Sequence, residues 1–170
     1  PKGVRRVPIH FGHGVRGNLY FKDGAPTPMP VVVWLHPLSY HSGYNEGYGV
    51  EGTTVYQRLA ENGFAVIAYD QCGFGLRLLE GRDFYKNHPR WSKLGRMVMD
   101  ARAAASFSVE GRGTAKSVLP EFDTKRVFLL GYSRGALTAM YAGARVTRVA
   151  GSTRFIGWTA CRGPGHARGA

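Results

Sequence analysis

The stretch Val127-Phe128-Leu129-Leu130-Gly131-Tyr132-Ser133-Arg134-Gly135-Ala136 decides the fold. Its first four residues are a continuous apolar run, the pattern of a strand buried on both faces. The run breaks into G-x-S-x-G, and Leu137-Thr138-Ala139-Met140-Tyr141-Ala142 then reads as helix. Strand, sharp turn and helix are the context of a nucleophile elbow. In such a turn the residues flanking the serine must be small, and the hydroxyl stands clear of the backbone at the carboxyl end of the sheet. An oxyanion formed there meets the N-terminus of the next helix and the positive end of its dipole. A Gly-Ser turn that merely ended a strand would not need the helix that follows.

Upstream, two more buried strands follow the same plan. Val31-Val32-Val33-Trp34-Leu35-His36 leads into His36-Pro37-Leu38-Ser39-Tyr40 and the glycine-rich loop from Ser42 to Gly49. A loop at the carboxyl end of a central strand is where an open α/β sheet places its ligand site, and here it would supply a second oxyanion N–H. Leu38 is the candidate, with Ser39 next. Phe64-Ala65-Val66-Ile67-Ala68-Tyr69 is the third buried strand, followed by the turn Asp70-Gln71-Cys72-Gly73-Phe74-Gly75. An aspartate in that position reads first as a residue that ties down its own turn through backbone N–H groups, and second as a catalytic carboxylate. Between these strands, Thr53 or Thr54 caps a helix carrying Val55, Leu59 and Ala60 on one face, and Asn62-Gly63 stops it.

Residues 4–10 and 17–22 read as two short strands around Phe11-Gly12-His13-Gly14. Gly12, Gly14 and Gly17 match a dinucleotide-binding fingerprint only formally, because the segment after them is strand-like rather than helical. His10 and His13 have no third metal ligand near them in sequence, so a surface hairpin is the expectation there. Residues 76–91 are expected to be a long mixed loop, serving as a lid, a substrate wall or a simple excursion. Ser92 caps the next helix, whose Leu94, Met97, Val98, Ala101 and Ala105 form a core-facing stripe. Residues 111–117 resemble a phosphate loop in composition but follow a helix and lack the glycine before lysine, so they read as an ordinary loop. Val149 to Trp158 reads as a last strand with Arg154 in its middle, and residues 159–170 as an irregular tail.

The chain has 170 residues and a net charge of +12. That charge invites a nucleic-acid reading, which its distribution opposes. Six arginines and no acidic residue lie between Arg134 and Ala170, and the other basic residues are scattered without a basic helix face. No nucleic-acid partner is expected. No membrane partner is expected either, because no apolar run approaches the ~20 residues of a spanning helix. The two cysteines, Cys72 and Cys161, have no metal-ligand spacing and set no compartment. The start of the sequence lacks a signal-peptide apolar region, which leans the expectation toward the cytoplasm.

Taken together, Val32 to Pro37, Tyr69 to Gly75, the run Trp91-Ser92-Lys93-Leu94-Gly95-Arg96-Met97-Val98 with Asp100 and Arg102-Ala103-Ala104, and Gly131 to Gly135 resemble bacterial serine hydrolases of the dienelactone-hydrolase and acetyl-xylan-esterase-like group. The resemblance implies an α/β-hydrolase fold, with alternating strands and helices in a mostly parallel sheet. It implies a partial domain over residues 1–158, cut before its last strands. By position it makes Ser133 the nucleophile and the Arg134 N–H one oxyanion donor, with Leu38 approximating the other. The implied substrate is a small-molecule carboxylic ester, cleaved through an acyl-serine without a cofactor.

The likeness fails at the acid and base. In the family these follow the serine, yet no acidic residue follows Ser133 here and the only later histidine is His166. Asp70 or Glu80 as acid, with His36, His41 or His88 as base, is the only rescue the sequence offers. A serine without a base is a weak nucleophile, and loss of the base costs on the order of 10⁶ in rate in one protease. The expectation is therefore an esterase-type chain that is weak or inactive as it stands. The alternatives are a non-catalytic hydrolase-like binding module and a peptidase or acyltransferase on the same fold. An uncovered sheet edge also predicts self-association.

Overall fold

The structure is a computed structural model that describes residues 3–45, 52–110, 118–144 and the backbone of 154–158. Its centre is a six-stranded sheet in the order β1-β2-β4-β3-β5-β6. The strands are β1 (Val4–Phe11), β2 (Val15–Lys22), β3 (Met29–Leu35), β4 (Ala65–Tyr69), β5 (Phe122–Tyr132) and β6 (Arg154–Trp158). β3 is parallel to β4 and β5, and β5 is parallel to β6. β1 and β2 form an antiparallel hairpin that joins the sheet through β4. The sheet is the mixed, mostly parallel one of an α/β-hydrolase. The hairpin strands run a residue or two longer than the sequence pattern suggested.

The helices among the described residues are α1 (Val55–Glu61), α2 (Leu78–Arg82), α3 (Phe84–Asn87), α4 (Lys93–Glu110) and α5 (Arg134–Gly143), and α1, α4 and α5 pack on the sheet. Alternation along β3 explains the layering. Val31, Val33 and Leu35 enter one core with Ile67 and Tyr69, packed under Ala101, Ala104 and Ala105 of α4 and Ala139 and Ala142 of α5. Val32 and Trp34 point the other way, into a smaller cluster with Tyr20, Tyr56 and Ala60 around α1. Small alanines on α4 and α5 let both helices lie close to the strands. The stripe foreseen on α4 is confirmed at Met97, Ala101 and Ala105, and it widens to Ala104 and Phe107 while Leu94 stays only half-buried.

Caps follow the sequence signals. Thr54 precedes α1, and its N–H donates to the Gln57 carboxamide oxygen at 3.1 Å. Gly63, at φ 87°, closes that helix, with the Phe64 N–H on the Leu59 carbonyl at 3.2 Å. The Ser92 hydroxyl accepts the Gly95 N–H at 2.9 Å and starts α4.

The 76–91 segment corrects the loop expectation. It holds a 3₁₀ turn at Gly75–Arg77, then α2 and α3. Pieces of three to five residues are too short to show helical periodicity, and tertiary anchors hold them. Phe84 is buried with Cys72, Phe74 and Met97. Arg77 is clamped by Glu80 at 2.7 Å and by Asp100 of α4 at 2.7 Å, and Arg96 sits at 3.3 Å from Asp100. Burial pushes the Asp100 carboxyl above its ordinary value despite both arginines. Burial works in the same direction on Glu80, but hydrogen bonds and charge from Arg77, aided by Arg96, hold that carboxyl below its ordinary value.

Arg154 opens β6 rather than interrupting it, opposite Phe128. Residues 149–153, the 111–117 loop, the tail with His166 and Cys161, and part of the 42–49 loop lie outside the described residues.

Candidate active site

The site is built at the carboxyl ends of β3, β4 and β5. β5 ends at Tyr132, α5 begins at Arg134, and Ser133 alone makes the turn, with φ 54° and ψ −114°. It is the only non-glycine residue at positive φ among the described residues. Such a conformation is sterically costly for a residue with a Cβ and persists only where the surroundings over-determine it. The surroundings do so. A Cβ at Gly131 would lie 2.2 Å from the Gly135 carbonyl oxygen, and a Cβ at Gly135 would lie 1.8 Å from the Leu35 carbonyl oxygen. Both glycines of G-x-S-x-G are therefore required by backbone-to-backbone contact. The second contact also sets the start of α5 against the end of β3.

The serine itself is exposed, and its hydroxyl has no hydrogen-bond partner among the described residues. The N–H groups of Arg134 and Leu38 likewise have no partner among the described residues. Arg134 is the first residue of α5, where backbone donors have no partner within the helix. Leu38 lies in the loop that leaves β3 just past the Gly135 contact, and its side chain is exposed. Ser39, the second candidate in that loop, is buried, and its hydroxyl donates to the Gly43 carbonyl.

His36 is buried and structural in its bonding. The Gln71 backbone N–H donates to its Nε2 at 3.0 Å, so Nε2 is an acceptor and the ring proton sits on Nδ1. Nδ1 lies 2.7 Å from the Pro37 carbonyl oxygen and 3.1 Å from the Ser39 hydroxyl. With both ring nitrogens engaged, His36 has no lone pair to offer Ser133. His41 and His88 are exposed, and His88 stacks near Phe84 and Trp91 on the far-reaching 84–91 segment. Asp70 accepts the N–H groups of Tyr44 at 3.0 Å and Leu76 at 2.9 Å, the turn-tying role expected of it. Glu80 belongs to the Arg77 clamp. None of the rescue acids or bases is hydrogen-bonded to Ser133 among the described residues.

Two residues without a sequence signal complete the site. Gln71 and Thr138 are fully buried, and the Thr138 hydroxyl lies 3.0 Å from Gln71 Oε1. A glutamine at the end of a buried strand announces only that it needs partners; which partners was not legible. A cavity of about 610 Å³ opens between Asn18, Tyr44, Asp70 and Arg77. It lies at the β2–β4 side of the sheet, with β4 and β3 between β2 and the serine-bearing strand.

Strand order, the strained serine turn and the two closed glycines define an α/β-hydrolase of the serine type. The family model described as serine aminopeptidase, S33, matches residues 30–154, and the chain belongs to that family. Solved structures agree on the fold. A dienelactone hydrolase-like promiscuous phosphotriesterase from metagenomic libraries superposes with a TM-score of 0.50 at 21% identity, over 83% of this chain and 54% of its own. A putative acetyl xylan esterase from Bacteroides fragilis gives 0.58 at 14% identity, over 82% and 44%. A putative dienelactone hydrolase from Klebsiella pneumoniae gives 0.54 at 15% identity, over 84% and 54%. The chain thus spans about half the length of these proteins. No curated protein matches it in sequence.

Proposed function

We propose that the protein is a serine hydrolase of carboxylic esters, with Ser133 as nucleophile and the N–H groups of Arg134 and Leu38 as oxyanion donors. The observation that carries the proposal is Ser133 itself, held at φ 54° between two glycines that admit no side chain. Strain of this kind concentrates where a hydroxyl has to be presented. In the reaction, Oγ attacks the acyl carbon and its proton passes to a base. The carbonyl oxygen becomes an oxyanion facing the two donors, and the alcohol leaves with a proton. Water then releases the acid and restores the serine.

The chain's own residues supply the nucleophile and the donors. The base and acid are not among the groups bonded to Ser133, so turnover by these 170 residues is expected to be slow. Labelling with a fluorophosphonate and mapping the modified peptide tests the assignment. Ser133 is expected to take the label and Ser133→Ala to abolish it; label on another residue overturns the role. Turnover of p-nitrophenyl acetate, measured beside Ser133→Ala, reports whether any histidine is recruited.

The engaged nitrogens of His36 favour a second reading, a hydrolase-like binding module without chemistry. Ligand binding with an inert Ser133, in the longest natural form of the protein, would support it. Membership of the serine aminopeptidase family favours peptide bonds over esters as substrate. A panel of p-nitrophenyl esters and aminoacyl p-nitroanilides separates the two.

A further inference from the structure

Three polar groups meet beneath the serine turn. Gln71, in the turn just past β4, donates its side-chain N–H to the His36 carbonyl at 2.7 Å, while its backbone N–H holds the His36 ring. The His36 carbonyl can only accept, so the nitrogen of the Gln71 amide must face it and the oxygen must face Thr138. The Thr138 hydroxyl has one proton and two acceptors in reach, Gln71 Oε1 at 3.0 Å and the Arg134 carbonyl at 3.2 Å. Leaving a buried amide oxygen without a donor is the costlier arrangement, so the proton belongs to Gln71. A chain of hydrogen bonds therefore runs from the loop after β3, through Gln71, to Thr138 in the second turn of α5.

We infer that Gln71 is a positioning residue that ties the 36–39 loop to the start of α5 and so fixes the spacing between the Leu38 and Arg134 N–H groups. The oxyanion part rests on the function proposed above; the tie between loop and helix does not. The contact of Gly135 with Leu35 and His36 is repulsive at short range and sets a minimum distance, while the β3–β5 ladder, which pairs Leu35 with Gly131, ends where the loop begins. The Gln71 link supplies the attraction that sets the maximum.

The test uses Gln71→Met and Thr138→Val, which keep approximate shape and remove the link, with Thr138→Ser as the conservative variant. The first readout is amide hydrogen exchange at Ser42 and Gly43, whose N–H groups bond to the Ser39 carbonyl, a group Thr138 does not touch. Thr138→Val is expected to speed their exchange about fivefold, the equivalent of one neutral hydrogen bond. Gln71→Met should do the same, the double variant should add little more, and Thr138→Ser should restore protection. Amides in the middle of α4 should stay as in the wild type. Unchanged exchange at Ser42 and Gly43 in Thr138→Val overturns the link.

The second readout is the rate of Ser133 labelling by the fluorophosphonate. Both variants should slow the reaction step by a similar factor without weakening reagent binding. Normal labelling in variants whose loop has loosened overturns the positioning role. A wild type that never labels overturns the hydrolase reading instead, and the exchange data still judge the link.

Discussion

Gly135→Ala is the sharpest test of the packing that builds the serine turn. Propensity alone favours it, since alanine within a helix gains up to about 1 kcal/mol over glycine. Packing opposes it. The new methyl would sit 1.8 Å from the Leu35 carbonyl oxygen, 2.5 Å from its carbon and 2.8 Å from the His36 carbonyl oxygen. Ordinary contact lies near 3.5 Å, so α5 and β3 must separate by more than about 1 Å. Both are main chain within a packed core, and neither can rotate away as a flexible side chain would. Overpacking of this sort costs about 1–3 kcal/mol and occasionally more. The upper end applies here, because three backbone atoms are hit at once. A net loss of roughly 2–3 kcal/mol lowers Tm by about 4–12 °C for a chain of this size. Gly95→Ala is the control. It also lies in a helix, but its methyl would meet only the Ser92 hydroxyl, at 3.0 Å. Thermal unfolding followed by circular dichroism should rank Gly95→Ala at or near the wild type and Gly135→Ala well below both. A Gly135→Ala protein as stable as the control would refute the claim that backbone contact dictates this glycine.

Other outcomes follow from the same structure. Ser133→Gly removes the Cβ from a strained φ and should stabilise the fold by roughly 1 kcal/mol, read as a rise in urea midpoint that Ser133→Ala does not share. Glu80, held below its ordinary value in the folded state, contributes stability above its unfolded value and loses it as pH falls through the folded one. Denaturation midpoints between pH 6 and pH 3 should therefore fall less steeply for Glu80→Gln than for the wild type, and parallel curves would contradict the Arg77 clamp. Burial, reinforced by the charge of Glu80, pushes the Cys72 thiol up to about 11. In mass-mapped alkylation at pH 8, Cys72 should remain unmodified until denaturant is added, and rapid native labelling would show that the Phe84 cluster opens. The chain should also self-associate through its sheet edge, and a single monomer peak with cooperative melting would count against that expectation.

Much of the sheet was legible because buried parallel strands write themselves as apolar runs. Val31 to Leu35, Ala65 to Tyr69 and Val127 to Leu130 fell where the runs placed them. The serine turn was legible for a steric reason, as G-x-S-x-G records two positions where no Cβ fits. The segment 76–91 was not, because its helical pieces are shorter than the period that would reveal them and depend on Arg77 and Phe84 reaching distant partners. The histidines mark the same boundary. Their residue type advertised His36 as a base, and only the fold showed the Gln71 N–H occupying its Nε2. Sequence by itself determined the strands, the turn and the nucleophile candidate, since each depends on residues adjacent along the chain. The tertiary structure alone decided the links among His36, Gln71 and Thr138, because those groups are brought together by strand order, over separations of up to 67 residues, and no local pattern encodes it.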